Sequence, residues 1–482
     1  MPVNRRSFVK AAGAVVVASQ TSLSYGNISG SNEPLRFGVI GFRGRGKSLI
    51  NAINAADNAK LVALCDVDEK ALGAHKPEDK SLFRSGDFRK LLERDDIDAI
   101  ASATPNHWHS MLAIRGALAG KHVYIEKPIS HNMAESRAVV AAAEKTGKLI
   151  QCGFQNRSDT GVRGFFEGLK AGKYGKVNFV HGTCHRARKT IGKLEKSLDI
   201  PKQINYDLWL GPAEDKPVMR PRLHYDWHWD FNTGNGDVGN QGPHEWDMMN
   251  WALGDQPGLP TKMTAAGNRF GWGDAGDTPN VMACVGEINS TPFYFEVMDI
   301  KPGRGAPHGR GVGVIVETDK GMFVGGRGGG QFRFNDGKVE KFSRDETQKR
   351  SDGTNAHMQN FVDCVLANKR SDLRSDCVVA ANSSSMAHMA NISYRLGSDA
   401  QPDQLEAAFS DSVVARDMLA RLRESTMIYA MQNKLESIEE WKLGPTLTFS
   451  NDKAEFTGSE AAKANELMTR QYRKNFELPK IG

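Results

Sequence analysis

Residues 41–48 read Gly41-Phe42-Arg43-Gly44-Arg45-Gly46-Lys47-Ser48, and a stretch of these types can bind phosphate in two ways. In the first, Gly41 and Gly46 are the outer glycines of a dinucleotide-binding loop, with Arg43 in the place of the middle one and Gly44 beside it. Such a loop lets backbone approach a pyrophosphate and aims helix N–H groups at it. In the second, the same residues satisfy G-x-x-x-x-G-K-S, where Lys47 would reach the phosphates of a nucleoside triphosphate. Asp66 favours the first. It stands 25 residues after Gly41 at the end of the next apolar run, where its carboxylate can accept hydrogen bonds from an adenosine ribose. A tight turn that binds nothing is the third reading.

Other segments carry chemistry-bearing types. Tyr225-Asp226-Trp227-His228-Trp229-Asp230-Phe231 offers aromatic faces for a pyranose and polar groups for its hydroxyls, or else a buried aromatic cluster over a sheet. Gln155, Asn156 and Arg157 follow an apolar strand and are expected to face the same cleft. His181, Cys184 and His185 are all possible metal ligands, but Arg186, Arg188 and Lys189 follow and no acid is near, so no metal is expected. Three further motifs stand out. They are Ala103-Thr104-Pro105-Asn106-His107-Trp108-His109, Glu126-Lys127-Pro128, and the run from Gly234 through Asp237, Asn240, His244 and Asp247.

These groups need elements to hold them. Apolar runs at 35–41, 61–66, 97–103, 121–125 and 149–153 alternate with helical periodicity, as at 134–145, which predicts a parallel sheet with right-handed crossovers. From about 158 the pattern changes. A helix at 161–171 and a strand at 177–183 lead into a Gly-, Trp- and His-rich loop over 205–243. Alternating segments at 262–268, 281–288, 293–300, 312–318 and 321–325 predict one antiparallel sheet, closed by helices at 357–366 and 378–395. The expected organisation is a signal and linker over 1–30, a Rossmann α/β domain over 34–154, an α+β domain with a large open sheet over 155–400, and a helical appendage over 401–482.

The 482 residues are 39% hydrophobic and 25% charged, as in globular proteins. The net charge of +6 falls to +3 without the first 26 residues, which hold Arg5, Arg6 and Lys10 and no acid. That excess gives no reason to expect nucleic-acid binding. No apolar run long enough to span a bilayer follows the N-terminal segment, so no membrane span is expected in the mature chain. The six cysteines show no C-x-x-C spacing and are expected as buried free thiols. Asn4-Arg5-Arg6-Ser7-Phe8-Val9-Lys10 followed by an Ala/Val run resembles a twin-arginine export signal, which implies a periplasmic or extracellular destination.

With the glycine loop, the three motifs resemble the Gfo/Idh/MocA family of sugar and inositol oxidoreductases over roughly 34–396. The resemblance implies a Rossmann domain followed by a domain with an open sheet, through which members associate as dimers or tetramers. It implies NAD bound by residues 41–46, Asp66, Thr104, Pro105, Asn106, His107, Glu126 and Lys127. NADP is the alternative, because Arg43, Arg45 and Lys70 would offset the repulsion between Asp66 and a 2′-phosphate. Lys127 would stand beside the reacting hydroxyl and the nicotinamide, with a cis peptide to Pro128, and His244 would be the acid/base residue. The family commonly has Asp four residues before that histidine; here it is Asn240, which takes no proton and would orient substrate or cofactor. Asp237 and Asp247 are placed to share a face with His244 and raise its pKa.

Oxidising a secondary alcohol needs a base for the hydroxyl proton and positive charge for the developing alkoxide. His244 suits the first and Lys127 the second. The substrate would be a small carbohydrate, lined by Gln155, Asn156, Arg157, Trp227, His228 and Asp237. Outside the cytoplasm a soluble nicotinamide pool is not expected, so the cofactor would be held tightly and recycled within the cycle. Net oxidoreduction between sugars, glycoside cleavage by transient oxidation and elimination, and a binding protein without turnover all remain open.

Overall fold

The computed structural model of the chain describes residues 33–75, 80–255, 258–346, 348, 353–435 and 440–481. The expected export segment lies outside the described residues.

The first domain is a six-stranded parallel sheet in the order β3-β2-β1-β4-β5-β6. Its strands are β1 (Leu35–Ile40), β2 (Ala59–Cys65), β3 (Phe83–Ser85), β4 (Ala99–Ser102), β5 (His122–Ile125) and β6 (Ile150–Cys152). They are near-continuous apolar runs because both faces are covered. Helices His109–Leu118 and Met133–Thr146 pack on one face through Met111, Leu112, Val139 and Ala142. Helix Arg45–Ala55 packs on the other with helix Thr354–Leu366, whose Met358, Phe361 and Val362 join Leu49, Ile50 and Ile53. Chain from beyond residue 154 therefore completes the Rossmann core.

The second domain is one large mixed sheet with the path β14-β13-β12-β11-β7-β10-β9-β8-β16-β15. Its strands include β7 (Val177–His185), β8 (Lys262–Asn268), β9 (Val281–Ile288), β10 (Thr291–Met298), β11 (Val312–Thr318), β12 (Gly321–Gly326), β13 (Gly329–Phe334) and β14 (Val339–Ser343). All neighbours are antiparallel except β7 and β10, which run parallel. On its inner face Val180, Cys184, Phe293, Phe295 and Val297 pack against helices Pro243–Ala252 and Cys377–Arg395.

The expectation of a helical appendage over 401–482 needs correction. Helices Pro402–Ala408 and Val413–Asn433 are followed by β16 (Trp441–Leu443), which pairs with β15 (Ser398–Ala400), then by β17 (Leu447–Ser450) and β18 (Glu455–Thr457). β16 and β17 both pair with β8. Trp441, Leu447, Phe449 and Phe456 are buried there, too few apolar residues to show against a polar background, yet enough to extend a sheet edge. The long helix lies on the sheet's outer face. Its Ala415, Leu419 and Leu422 pack with Phe179, Tyr294 and Met298. The face expected to mediate association is thus covered in part by the chain itself. Beneath the helix, His185 Nε2 lies 2.8 Å and Arg421 Nη2 3.0 Å from Glu296 Oε1. His181 and His185 share that face while Cys184 points to the other. Among the described residues, no group of three or more His, Cys, Asp or Glu is arranged to hold a metal.

Candidate active site

At the end of β1 the chain turns through Gly41 (φ +73°) and Gly44 (φ +38°) into helix Arg45–Ala55. Both angles are in the left-handed region that favours glycine. A Cβ on Gly46 would overlap the Gly41 carbonyl oxygen, so the third glycine is needed for the turn itself. Asp66 closes the loop from beneath. Its Oδ2 accepts the Phe42 N–H at 3.2 Å and its Oδ1 the Asp68 N–H at 3.0 Å, leaving lone pairs toward the cavity it lines. Burial pushes the Asp66 carboxyl up, against these two amides. Lys47 is exposed and does not line the cavity, which removes the phosphate contact the triphosphate reading requires.

The cavity measures about 560 Å³ and crosses from the Rossmann domain to the second domain. That is within the roughly 300–1,000 Å³ of small-molecule and cofactor sites. Gly41, Arg43, Gly44, Arg45, Asp66, Thr104, Pro105, Asn106, Glu126, Lys127, Gln155, Trp227, Asn240 and His244 all line it, as expected of them from sequence. Phe42, expected among the cofactor ligands, does not line it, because its ring is buried in the core below.

Glu126 and Lys127 follow β5, and the Lys127–Pro128 peptide is cis. Glu126 Oε1 accepts from Arg45 Nε at 2.8 Å and from Gln155 Nε2 at 2.9 Å. Lys127 Nζ donates to the Asn240 carbonyl oxygen at 2.5 Å, across the domain boundary. Burial lowers the Lys127 pKa, opposed by Glu126 and Asp237. Asn240 is held in turn, its Nδ2 donating to Asp237 Oδ1 at 2.8 Å. His244 is the second residue of helix Pro243–Ala252, and its ring meets Phe154 edge-on at 6.2 Å. Its Nδ1 is buried without a hydrogen-bond partner among the described residues. Burial, and then Arg327, Lys127 and Arg45, hold its pKa well below the ordinary histidine value. No acid raises it. Asp247 pairs with Arg157 and Asp237 with Arg188, which corrects the expectation that either would charge His244.

Several expected ligands serve the frame instead. His107 lies behind the wall. Its ring nitrogens are 3.2 and 3.0 Å from the carbonyl oxygens of Thr233 and Trp209, so it braces the turn after β4 against the second domain. Arg157 is buried, with Nε 2.8 Å from Asp247 Oδ2, Nη2 2.6 Å from Asp255 Oδ1, and its guanidinium over Trp251. Asn156 accepts from Arg327 Nε at 3.3 Å and does not itself line the cavity. His228 is buried, with Nδ1 2.5 Å from the Tyr225 carbonyl oxygen and Nε2 3.9 Å from Asp237. Asp237 is likewise shut behind Arg188 and Asn240.

Sequence reasoning missed other wall residues. Arg186 and Arg188 line the cavity, although the basic run they belong to reads as solvated loop. Trp108, Trp209, His224, Tyr225, Gln241 and Arg327 line it too. For Trp209 and His224 the aromatic richness of 205–243 was the visible signal, while Trp108 and Tyr225 stand inside motifs already singled out. That segment is strapped to the Rossmann domain beside Asp66. Asp68 and Ile204 form a β-bridge, Asn205 N–H donates to the Val67 carbonyl at 2.9 Å, and Glu69 N–H to that of Gln203 at 3.0 Å. The C-terminal tail backs the same wall, with Phe476 edge-on to Trp108 at 5.7 Å and Arg473 Nε donating to the Gly211 carbonyl at 2.9 Å.

Comparison with known proteins agrees with this architecture. Residues 35–154 match the family model described as an oxidoreductase family with an NAD-binding Rossmann fold, and residues 184–275 its C-terminal alpha/beta domain. A glycosyl hydrolase family 109 protein of Shewanella sp. (strain ANA-3) is 31% identical over 172 residues, which is 30% of this chain and 37% of that protein's length. The WlbA dehydrogenase of Bordetella pertussis, solved with NADH and UDP-GlcNAcA, superposes with a TM-score of 0.52 at 19% identity, over 73% of this chain and 93% of its own. An aldose-aldose oxidoreductase of Caulobacter crescentus gives 0.54 at 16%, over 74% and 98%. Residues 35–154 are thus an NAD-binding Rossmann domain of the kind found in this oxidoreductase family, and residues 184–275 are similar to the family's C-terminal domain.

Proposed function

We propose that the protein oxidises a secondary alcohol of a sugar, polyol or glycoside, with NAD held tightly and recycled within the catalytic cycle. One observation carries the reading. The glycine loop and Asp66 share a single cavity with Lys127 and His244, which come from different domains and meet across the domain boundary. The fit to a dinucleotide rests on the tight turn that Gly41 and Gly46 allow, on the open approach at Gly44, and on the buried carboxylate of Asp66. Asp66 favours NAD over NADP by repelling a 2′-phosphate.

Bound NAD supplies a hydride acceptor. The chain supplies the rest. His244, kept uncharged by burial and by three cations, is free to take the hydroxyl proton on its ring. Lys127, fixed by the Asn240 carbonyl, presents its charge to the developing alkoxide. Trp108, Trp209 and Trp227 give the cleft apolar walls. Asn240 sets the position of Lys127 through its backbone and anchors itself on Asp237.

A second reading is favoured by the relatives named glycosyl hydrolase family 109. Here the same hydride and proton steps would start a redox-neutral glycoside cleavage. Export by the twin-arginine signal of residues 1–30 suits both, since that route carries folded, cofactor-loaded proteins. The test is to purify the protein without added nucleotide, denature it and identify what it releases by mass spectrometry. Stoichiometric NAD supports the reading. A protein that is empty and binds neither NAD nor NADP overturns it.

A further inference from the structure

Six cations line the cavity: Arg43, Arg45, Lys127, Arg186, Arg188 and Arg327. Three have a carboxylate partner, Arg43 on Asp68, Arg45 on Glu126 and Arg188 on Asp237. Lys127, Arg186 and Arg327 have none among the described residues. Lys127 has its catalytic place; Arg186 has no role in the hydride or proton steps, and Arg327 acts there only through its charge on His244.

Their position is informative. The cofactor's phosphates belong at the glycine loop, on the Rossmann side. Arg186 directly follows β7 and Arg327 stands between β12 and β13, both on the second domain. Arg327 is held over the reacting end by its Nε–H to Asn156, and it is the foremost charge acting on His244. Among the described residues, the acid beside them is Glu245, next to His244 in sequence; it is buried, its side chain meets Gln241, and burial pushes its carboxyl up to about 8 against the pull of Arg327. Arg186 and Arg327 themselves are exposed at the mouth, open to whatever enters.

We propose that the alcohol taken by this cavity is anionic, a sugar or polyol acid whose carboxylate is gripped by Arg186 and Arg327 while its hydroxyl meets Lys127 and His244. This rests on the reading above of the cavity as an alcohol-oxidising site. A guanidinium pair suits a planar carboxylate, which it can meet with parallel N–H donors. A neutral sugar would leave both charges unanswered, and a cationic one would be repelled.

The experiment is calorimetric titration of the NAD-loaded protein with matched pairs: D-glucuronate against D-glucose, D-galacturonate against D-galactose, and D-gluconate against D-glucitol. Glucose 6-sulfate is the added arm. At least one acid is expected to bind about 10-fold or more tighter than its neutral partner, with that advantage shrinking as salt is raised. In the Arg186→Gln/Arg327→Gln protein the advantage is lost while the neutral sugar's affinity and the NAD content hold. Glucose 6-sulfate binding as well as the acids would widen the ligand class to anions in general and still support the proposal. No acid outbinding its neutral partner, or an advantage that survives both substitutions, overturns it. Failure of the underlying reading looks different: the acid binds preferentially, yet no member of the panel reduces the bound NAD.

Discussion

Arg157→Met separates a frame residue from a substrate ligand. Methionine keeps much of the aliphatic volume against Trp251 and removes the guanidinium. Asp247, fully buried, then retains Ser383 Oγ at 3.0 Å as its side-chain donor. Removing one partner of a buried ion pair costs about 3–5 kcal/mol. Asp255 is 29% exposed at its side chain, so solvent screens that half of the loss and the lower figure is expected. At roughly 2 °C per kcal/mol for a large domain, the melting temperature should fall by about 6 °C or more. The pH dependence follows from burial, which already pushes the Asp247 carboxyl up against the pull of Arg157. Without the arginine its folded-state value rises further above the unfolded value of about 3.9. Stability tied to the protonated form is complete below that unfolded value and is lost as pH rises through the folded one, so the deficit is larger at about pH 7 than at about pH 5. Thermal unfolding of NAD-loaded protein at the two pH values reads this, and adding Asp247→Asn to the variant should recover part of the loss. An unchanged melting temperature together with a KM raised about 10-fold would refute the assignment and make Arg157 a substrate ligand.

Three further outcomes are expected. Lys127→Ala should retain NAD but slow single-turnover reduction of it by about 10²–10⁴-fold, measured by nicotinamide absorbance. Because His244 is held well below its ordinary value by burial and then by Arg327, the acid limb of kcat/KM lies well below about pH 6.5, and Arg327→Gln should move it upward. Gly46→Ala forces a Cβ into the Gly41 carbonyl, so the protein should purify without cofactor, as mass spectrometry of the denatured protein would show. An unmoved acid limb in the second case, or stoichiometric NAD in the third, would contradict the geometry given for those residues.

The parallel sheet, the glycine loop and the residues after β4 and β5 were legible in sequence because each is local. An apolar run ends, and the next few residues face the cleft by the rules of the α/β fold. β3, β13 and β14 were not expected, being short or weakly patterned, with exposed alternate positions on β14. The late strands β16 to β18 were hidden in a polar, glycine-poor tail. Residue type alone also misplaced charge. Arg157, His228 and Asp237 look like ligands in a linear motif, yet each has a buried partner that only the folded chain brings near. Arg327, the reverse case, sits in a glycine-rich turn far along the chain and reaches the cavity through the sheet's topology.

The strap between residues 67–69 and 203–205 also constrains time. These contacts join segments far apart in sequence by a few backbone hydrogen bonds beside Asp66, next to apolar packing of Val67 in the cluster of Ile204 and Trp209. Such contacts open locally at a cost well below that of global unfolding. The residence time of NAD held at Asp66 would then depend on the opening of this strap as well as on the cofactor's own contacts.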